Sequence, residues 1–385
     1  MSGRKRPMGL KGSSAKKQKN EEESHGVEKP KEVVDDHTDE KTATVLLKNQ
    51  SEGISDEIAE LEEVYNNALQ SIDSDQQQAT LLFQGTIHEC DYIVKSKDNS
   101  KTLHTLPNKL YFIYGSSLFN LSQLAEPSDS ADYLKLAIER LDQALGDSSS
   151  EQNLHNVPQW KILSSLGKAK LSLAKSLGES KDYLDSALEN LSGAISELFK
   201  ITNSPDYHED PNSQDPPFEH IILLLDMVLS FAQGSADIDQ ISLLTDWTKS
   251  QLKKYNGSDL PQELLYFDAK CQWVLSSYYL DILDQEEEDN ERDNSDLENK
   301  VISFLSSAEK TLTDAKTKPE SILLPEIYIL LGEVLLNKGN FQDDEDIQSE
   351  YYTQSVKYFK LAQKTSENPE ILSEHLQEFV SEWDQ

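Results

Sequence analysis

Apolar residues recur at helical spacing from about residue 55 to the end of the chain. Ile58, Leu61, Tyr65, Ala68 and Ile72 are separated by steps of three or four residues, and such steps lie on one face of an amphipathic helix. The next segment repeats this stepping at Phe83, Ile87, Cys90 and Val94. No segment alternates apolar and polar residues between hairpin signals, as a half-buried strand would. The pattern therefore predicts an all-α fold.

Two stretches interrupt the helical pattern. Residues 204–217 carry four prolines among Asp, Asn and Ser, and proline cannot continue a helix. Residues 285–298 carry eight acids and one arginine, which predicts a solvated loop. We expect helical repeats over 53–203 and 218–385, a Pro-rich linker over 204–217, and a disordered tail over 1–52, which has few large apolar residues.

Four of the predicted helix pairs share a packing pattern. The second helix of each pair has a small or branched residue, an apolar residue four positions on, and an alanine three further on. These triplets are Ala137-Leu141-Ala144, Ala187-Leu191-Ala194, Val301-Leu305-Ala308 and Ser355-Phe359-Ala362. The first helix of each pair has a small residue after a bulky one, in Tyr114-Gly115, Leu166-Gly167, Leu275-Ser276 and Leu331-Gly332.

This pattern has a direct physical meaning. A small residue in the first helix lets the second helix approach closely, and the alanines of the second helix offer a shallow matching surface. Tetratricopeptide repeats follow the same logic, with L-G in the first helix and A-x3-F-x2-A in the second. The sequence therefore predicts a tetratricopeptide-like solenoid of helix pairs, whose concave face would bind protein segments. The long, uneven connections leave generic helix pairs as the alternative.

The first 20 residues reverse the charge of the rest of the chain. They contain seven basic residues and no acid, whereas the whole chain has a net charge of −34. Two basic clusters, Arg4-Lys5-Arg6 and Lys16-Lys17-x-Lys19, are separated by nine residues, a spacing typical of a bipartite nuclear import signal. We expect an import receptor as a partner and a nuclear location, with or without shuttling to the cytoplasm. A non-specific basic tail is the alternative.

The acidic charge of the remaining chain restricts its partners. It repels nucleic-acid phosphates and anionic lipid and favours basic proteins. The alternative is that the acidic residues only keep the chain soluble. The run Glu286-Glu287-Glu288-Asp289 is the predicted contact for a basic partner. The most apolar stretch, residues 221–232, is shorter than the ~20 residues of a membrane span, so no membrane partner is expected.

No pattern for catalysis, cofactor binding or metal binding is found in the sequence. It has no phosphate-binding glycine loop and no nucleophile elbow or HExxH motif. Cys90 and Cys271 are too few for a disulfide framework and are predicted to pack as small hydrophobes. In the segment His88-Glu89-Cys90-Asp91 the side chains spread around a helix, which favours core packing of Cys90 over a metal site. Trp273 is also assigned to the core.

Two segments resemble the fungal enhancer of translation termination family. The run Lys5-Arg6-Pro7-Met8-Gly9-Leu10 is similar to the K-R-P-x-G-L opening of that family. The run Gly85-Thr86-Ile87-His88-Glu89-Cys90-Asp91 resembles its G-x-x-H-E-C-D motif, and the motif residues Gly85, His88, Glu89, Cys90 and Asp91 are expected to have a structural role. The chain length, the basic lead and the helical body also fit the family.

The resemblance implies a nuclear adaptor and regulator without enzyme activity. Members of this family associate with an iron- and 2-oxoglutarate-dependent prolyl hydroxylase that modifies a small-subunit ribosomal protein. They affect translation termination and oxygen-responsive (hypoxic) gene expression, and one branch carries the basic ribosomal protein into the nucleus. One alternative is a generic tetratricopeptide co-chaperone, with Lys168 and Lys170 as the main basic pair for a carboxylate clamp. An enzyme of undetected type is another.

Overall fold

The computed structural model describes most of the chain after residue 53. The described ranges are 54–98, 106–146, 157–178, 180–204, 216–255, 260–286, 294–317, 322–368 and 370–383. The predicted import signal, Arg4-Lys5-Arg6 with Lys16-Lys17-x-Lys19, lies outside them, as do Glu287, Glu288 and Asp289.

Within the described ranges the ordered secondary structure is α-helix, without a strand, which confirms the predicted all-α fold. Thirteen helices occur in these ranges. They are α1 (Ile54–Ser71), α2 (Gln76–Asp98), α3 (Asn108–Leu124), α4 (Pro127–Gly146), α5 (Gln159–Ser176), α6 (Lys181–Thr202), α7 (Pro217–Gln233), α8 (Ile238–Leu252), α9 (Gln262–Glu286), α10 (Ser295–Ala315), α11 (Leu324–Asn340), α12 (Glu345–Thr365) and α13 (Glu374–Trp383).

The described residues fall into two compact units, 54–218 and 219–385. In the first unit each helix from α1 to α5 packs on the next one along the chain, and α3 also contacts α1 and α5. In the second unit α8 to α13 pack in the same sequential way, and α9 also contacts α11. Contacts between neighbours in sequence and between alternate helices are typical of stacked helix pairs. The predicted limits of tail, repeat domains and linker stay predictions.

The predicted repeat positions form the contact inside each helix pair. All members of the four triplets on α4, α6, α10 and α12 are completely buried. A Cβ atom at Gly115 would lie 2.7 Å from Leu141 Cγ, and one at Gly167 would lie 2.6 Å from Leu191 Cγ. Both distances are shorter than van der Waals contact. The glycines therefore set how closely the two helices of a pair approach.

The last two pairs use variants of the same contact. In α11 a Cβ atom at Gly332 would lie 2.5 Å from Cε1 of Phe359, and Ser355 Oγ donates to the carbonyl of Gly332 at 2.7 Å. In α9 the small residue is Ser276, which is fully buried. Its Oγ donates to the carbonyl of Trp273 at 2.8 Å, so its hydroxyl is satisfied within its own helix.

Three details differ from the sequence prediction. The acidic loop expected over 285–298 is shorter, because α9 continues to Glu286 and α10 begins at Ser295. Asp296 and Glu298 lie in the first turn of α10, where the helix dipole favours negative charge. Pro217 is the first residue of α7 rather than part of the linker, a position that tolerates proline.

The third difference from the sequence prediction concerns Trp273, which is predicted from the sequence to lie in the core. It is only partly buried, since an indole is large and is rarely buried completely.

The close contacts predict the cost of adding a methyl group. Gly167→Ala and Gly332→Ala each force the added Cβ against a side chain of the partner helix, and such overpacking costs about 1–3 kcal/mol of unfolding free energy. Gly146→Ala is the matched control, since nothing lies within 4 Å of a Cβ there, and alanine favours helix over glycine. Urea denaturation followed by circular dichroism measures the shift. Equal midpoints for all three variants would contradict the close-contact model.

Candidate functional site

The motif Gly85, His88, Glu89, Cys90 and Asp91 lies in the middle of α2. Cys90 is completely buried in a cluster with Ile58, Leu61 and Leu110. Burial, with a smaller contribution from neighbouring acids, raises the pKa of the Cys90 thiol far above its usual range. The thiol is therefore a protonated core group and not a nucleophile. His88 is exposed and the other motif residues are partly buried.

Asp91 connects this motif to the next helix pair. Its Oδ1 accepts a hydrogen bond of 2.5 Å from the hydroxyl of Tyr114 on α3, and its Oδ2 lies 3.4 Å from Lys95 Nζ. The guanidinium of Arg140, on α4, lies 5.1 Å from the centre of the Tyr114 ring, within range of a cation–π interaction. Burial and Asp91 together raise the pKa of Tyr114 to about 12, so it stays protonated and donates.

The Asp91–Tyr114–Arg140 contact thus joins α2, α3 and α4. Tyr114 is also the bulky residue that precedes the close-contact glycine of α3. A structural role for the motif is compatible with these contacts and stays a prediction.

Lysines at the same position of two repeats form ion pairs with acids on an earlier helix. Lys109 and Lys270 each lie six residues before the small residue of their helix. Lys109 Nζ is 2.6 Å from Glu62 Oε2 on α1, and Lys270 Nζ is 2.5 Å from Asp226 Oδ1 on α7. Since their side chains are 20% and 14% exposed, both ammonium groups are largely engaged within the fold.

The ion pair of Lys270 belongs to a larger acidic cluster, which comprises Asp226 on α7, Tyr266 and Lys270 on α9, and Glu326 and Glu333 on α11. Lys270 Nζ lies 5.8 Å from the centre of the Tyr266 ring. Burial raises the pKa of the Tyr266 phenol above its usual range, and the three carboxylates add to the shift.

The acidic cluster contains more carboxylate than its own lysine can neutralise. Burial raises the pKa of Glu333 to about 7, and Lys270 opposes that shift. Glu326 Oε2 is buried and accepts no hydrogen bond from the described residues. Asp226 and Glu326 outnumber the single ammonium of Lys270, and Glu333 adds negative charge as it loses its proton near pH 7. The site is therefore electronegative and suits a lysine or arginine side chain of a partner.

The sequence analysis missed the acidic cluster. Its acids lie on two helices about 100 residues apart along the chain, and neither forms a run. The available signal was the repeat register, because Glu326 precedes Gly332 by the same six residues that separate Lys270 from Ser276.

Two other predicted sites have different outcomes. Glu286 is the last residue of α9, but its side chain, with Glu287, Glu288 and Asp289, falls outside the described residues, so this contact stays a prediction. The basic pair for a carboxylate clamp is poorly placed. Burial lowers the pKa of Lys168, and Lys170 Nζ donates to Ser186 Oγ at 2.9 Å.

A search of the described residues finds no group of three or more His, Cys, Asp or Glu side chains placed to hold a metal ion. Across the same residues, no helix combines the length and apolar character that crossing a bilayer requires.

Comparison with known proteins gives one match over nearly the whole chain. Residues 1–372 match the family model described as nuclear pore complex subunit Nro1. No curated protein gives a significant sequence match. The description of the matching family refers to the nuclear pore and not to translation termination. The link to translation termination expected from the two motifs therefore stays a prediction.

Solved structures of proteins named Nro1 are similar to this chain at low sequence identity. The S. pombe nuclear import adaptor Nro1 has 20% sequence identity and a TM-score of 0.44, and the match covers 87% of this chain and 98% of that chain. A second structure, described as the hypoxic regulator of sterol synthesis Nro1, a nuclear import adaptor, has 20% identity and a TM-score of 0.44. That match covers 86% of this chain and 93% of the other.

The raised pKa of Glu333 predicts a pH-dependent stability. Between pH 4.5 and about 7 the Glu333 carboxyl keeps its proton in the folded chain. In the unfolded chain, with the ordinary pKa of 4.5, the same carboxyl has lost it, so the folded state binds more protons in this range. The contribution of Glu333 to stability is therefore present below pH 4.5 and is lost as the pH rises through about 7. Glu333→Gln should remove this loss and be more stable than the parent by about 3 kcal/mol at pH 8, with little difference at pH 4.5.

The measurement is urea denaturation of both proteins from pH 4.5 to 8. Glu378→Gln, at an exposed position of α13, is the matched control and should run parallel to the parent. A parallel profile for Glu333→Gln as well would show that Glu333 ionises normally.

Proposed function

Since this chain belongs to the family of the nuclear pore complex subunit Nro1, we propose that it works in the nucleus as a non-enzymatic adaptor that holds other proteins. The family match over residues 1–372 is the single observation that carries this proposal. The S. pombe protein of the same name is described as a nuclear import adaptor, and we propose that role for this chain too.

The architecture supports a binding role. Stacked helix pairs present a broad surface made from successive first helices, and repeat proteins use such surfaces to bind protein segments. Here the first helices α7, α9 and α11 contribute the acidic cluster. Because the whole chain has a net charge of −34, electrostatic steering accelerates encounter with a basic partner.

The charge division supports an import role. The tail carries the two basic clusters, and the rest of the chain is acidic. In the proposed mechanism the tail binds an import receptor while the acidic surface holds a basic cargo. The two activities use opposite charges, so one partner does not compete directly with the other.

The finer proposal names the partners. We propose that the chain binds a 2-oxoglutarate- and iron-dependent prolyl hydroxylase and a basic ribosomal protein, and through them affects translation termination and hypoxic gene expression. This part rests on the resemblance of residues 5–10 and 85–91 to the termination family. A second structure named Nro1 is described as a hypoxic regulator, which agrees with the hypoxic part of the proposal.

Loss of the basic clusters should prevent nuclear accumulation. Replacing Arg4-Lys5-Arg6 and Lys16-Lys17-x-Lys19 by alanine removes six positive charges that an import receptor would contact, and we expect a fluorescently tagged variant to remain in the cytoplasm. Alanine at Lys29, Lys31 and Lys41, three lysines of the same tail outside the clusters, is the control. Unchanged nuclear accumulation of the first variant would refute the import signal.

Partner binding through the acidic cluster should depend on salt. We expect a pull-down from cell extract to recover a ribosomal protein and a dioxygenase at about 0.1 M salt, where the Debye length is about 10 Å, and to lose them at about 0.5 M. Glu326→Gln combined with Glu333→Gln should reduce the recovery of the basic protein. The exposed pair Glu378→Gln and Glu382→Gln makes two substitutions of the same kind on α13 and should not reduce it. Recovery that is equal in both double variants would place the contact elsewhere.

A further inference from the structure

A basic groove lies at the end of the second unit, in contrast to the acidic character of the chain. It runs between α12 and the last turn of α13, and its volume is about 410 Å³. We call it the lysine groove and define it by the lining residues Val356, Lys357, Lys360, Leu361, Lys364 and Trp383. The α12 members recur at steps of one, three and four residues and so share one face of the helix.

The lysine groove combines an apolar floor with a positive rim. Val356 is 4% exposed and Leu361 is partly buried, whereas Lys357, Lys360 and Lys364 are exposed. No acid occurs among the described residues that line it. A chain with a net charge of −34 therefore presents three lysines together on one helix face, which makes this face locally basic.

The aromatic wall of the groove is held in place by other rings. The indole of Trp383 makes an edge contact with the ring of Tyr352 at 5.4 Å and 89°, and it stacks on Phe379 at 6.2 Å and 29°. The helix that carries it is fixed by buried Leu376 and Val380. Trp383 nevertheless remains 38% exposed. An exposed aromatic residue held by its neighbours costs little entropy when a ligand packs on it.

We propose that the lysine groove binds an acidic segment of a partner protein, with one large apolar side chain between Asp and Glu residues. The apolar side chain would pack on Val356, Leu361 and the indole of Trp383. The flanking carboxylates would pair with Lys357, Lys360 and Lys364. A volume of about 410 Å³ is within the range of small binding sites and accommodates one such side chain with part of its backbone.

This partner is chemically opposite to the basic cargo of the proposed function. The lysine groove repels lysine and arginine side chains, so basic cargo would bind elsewhere on the chain. The inference depends on the geometry of α12 and α13 and does not require the import role.

The test is fluorescence anisotropy of a labelled peptide of about nine residues, one leucine flanked by four glutamates on each side, titrated with the full chain. We expect the triple variant Lys357→Glu, Lys360→Glu, Lys364→Glu to bind at least about tenfold more weakly, because three attractions become repulsions. The control triple Lys135→Glu, Lys175→Glu, Lys310→Glu makes the same change in net charge at exposed positions and should bind within about twofold of the parent.

Further probes separate the apolar and the ionic parts. Trp383→Ala should weaken binding at least about threefold, and so should replacing the peptide leucine by alanine. Circular dichroism of every variant checks that the fold is retained. Equal affinity of the two lysine triples, or equal affinity of the leucine and alanine peptides, would overturn the proposal.

Two other occupants of the lysine groove are outcomes of the same experiment. Binding to vesicles with about 30% anionic lipid that is lost in the groove triple, with no binding of the acidic peptide, would assign the surface to a membrane and overturn the proposal. Concentration-dependent dimerisation that is lost in the same triple, again without peptide binding, would assign it to a second copy of the chain and overturn the proposal too.

Discussion

The contact between a small residue on one helix and a large side chain on the next determines how this protein is built. At Gly115, Gly167 and Gly332 the partner side chain occupies the space that a Cβ atom would need. The two helices of a pair therefore approach as closely as their backbones allow, which buries the triplets on the second helix completely. Since each pair then offers its remaining apolar surface to the next pair, stacking follows from the same contact.

Much of this could be predicted from the sequence, because close packing leaves a local and repeated signature. The triplet Ser355-Phe359-Ala362 and the Gly332 that it contacts are visible as residue types at fixed spacing, and the structure brings them together. The ends of helices were less predictable. Asp296 and Glu298 look like loop residues by composition, yet they begin α10, where the dipole of the helix stabilises them.

The polar sites were harder to predict because their members come from different helices. Asp226, Glu326 and Glu333 are ordinary acids in the sequence. Only the fold brings Asp226 and Glu333 close to Lys270 and Glu326 close to Tyr266. Burial then raises the pKa of Glu333 to about 7. The lysine groove has the same origin, since Trp383 reaches α12 only through the packing of α13. In both cases composition could not show which helices pack together.

The hydrogen bond from Tyr114 to Asp91 has a consequence for how such a chain can change over evolutionary time. Tyr114 immediately precedes Gly115, so the residue that donates a hydrogen bond to the earlier helix pair is covalently attached to the residue that fixes the spacing of its own pair. A helix pair cannot then be exchanged as an independent module. Relatives that replace the tyrosine should also have replaced the aspartate, and the two positions should vary together across the family.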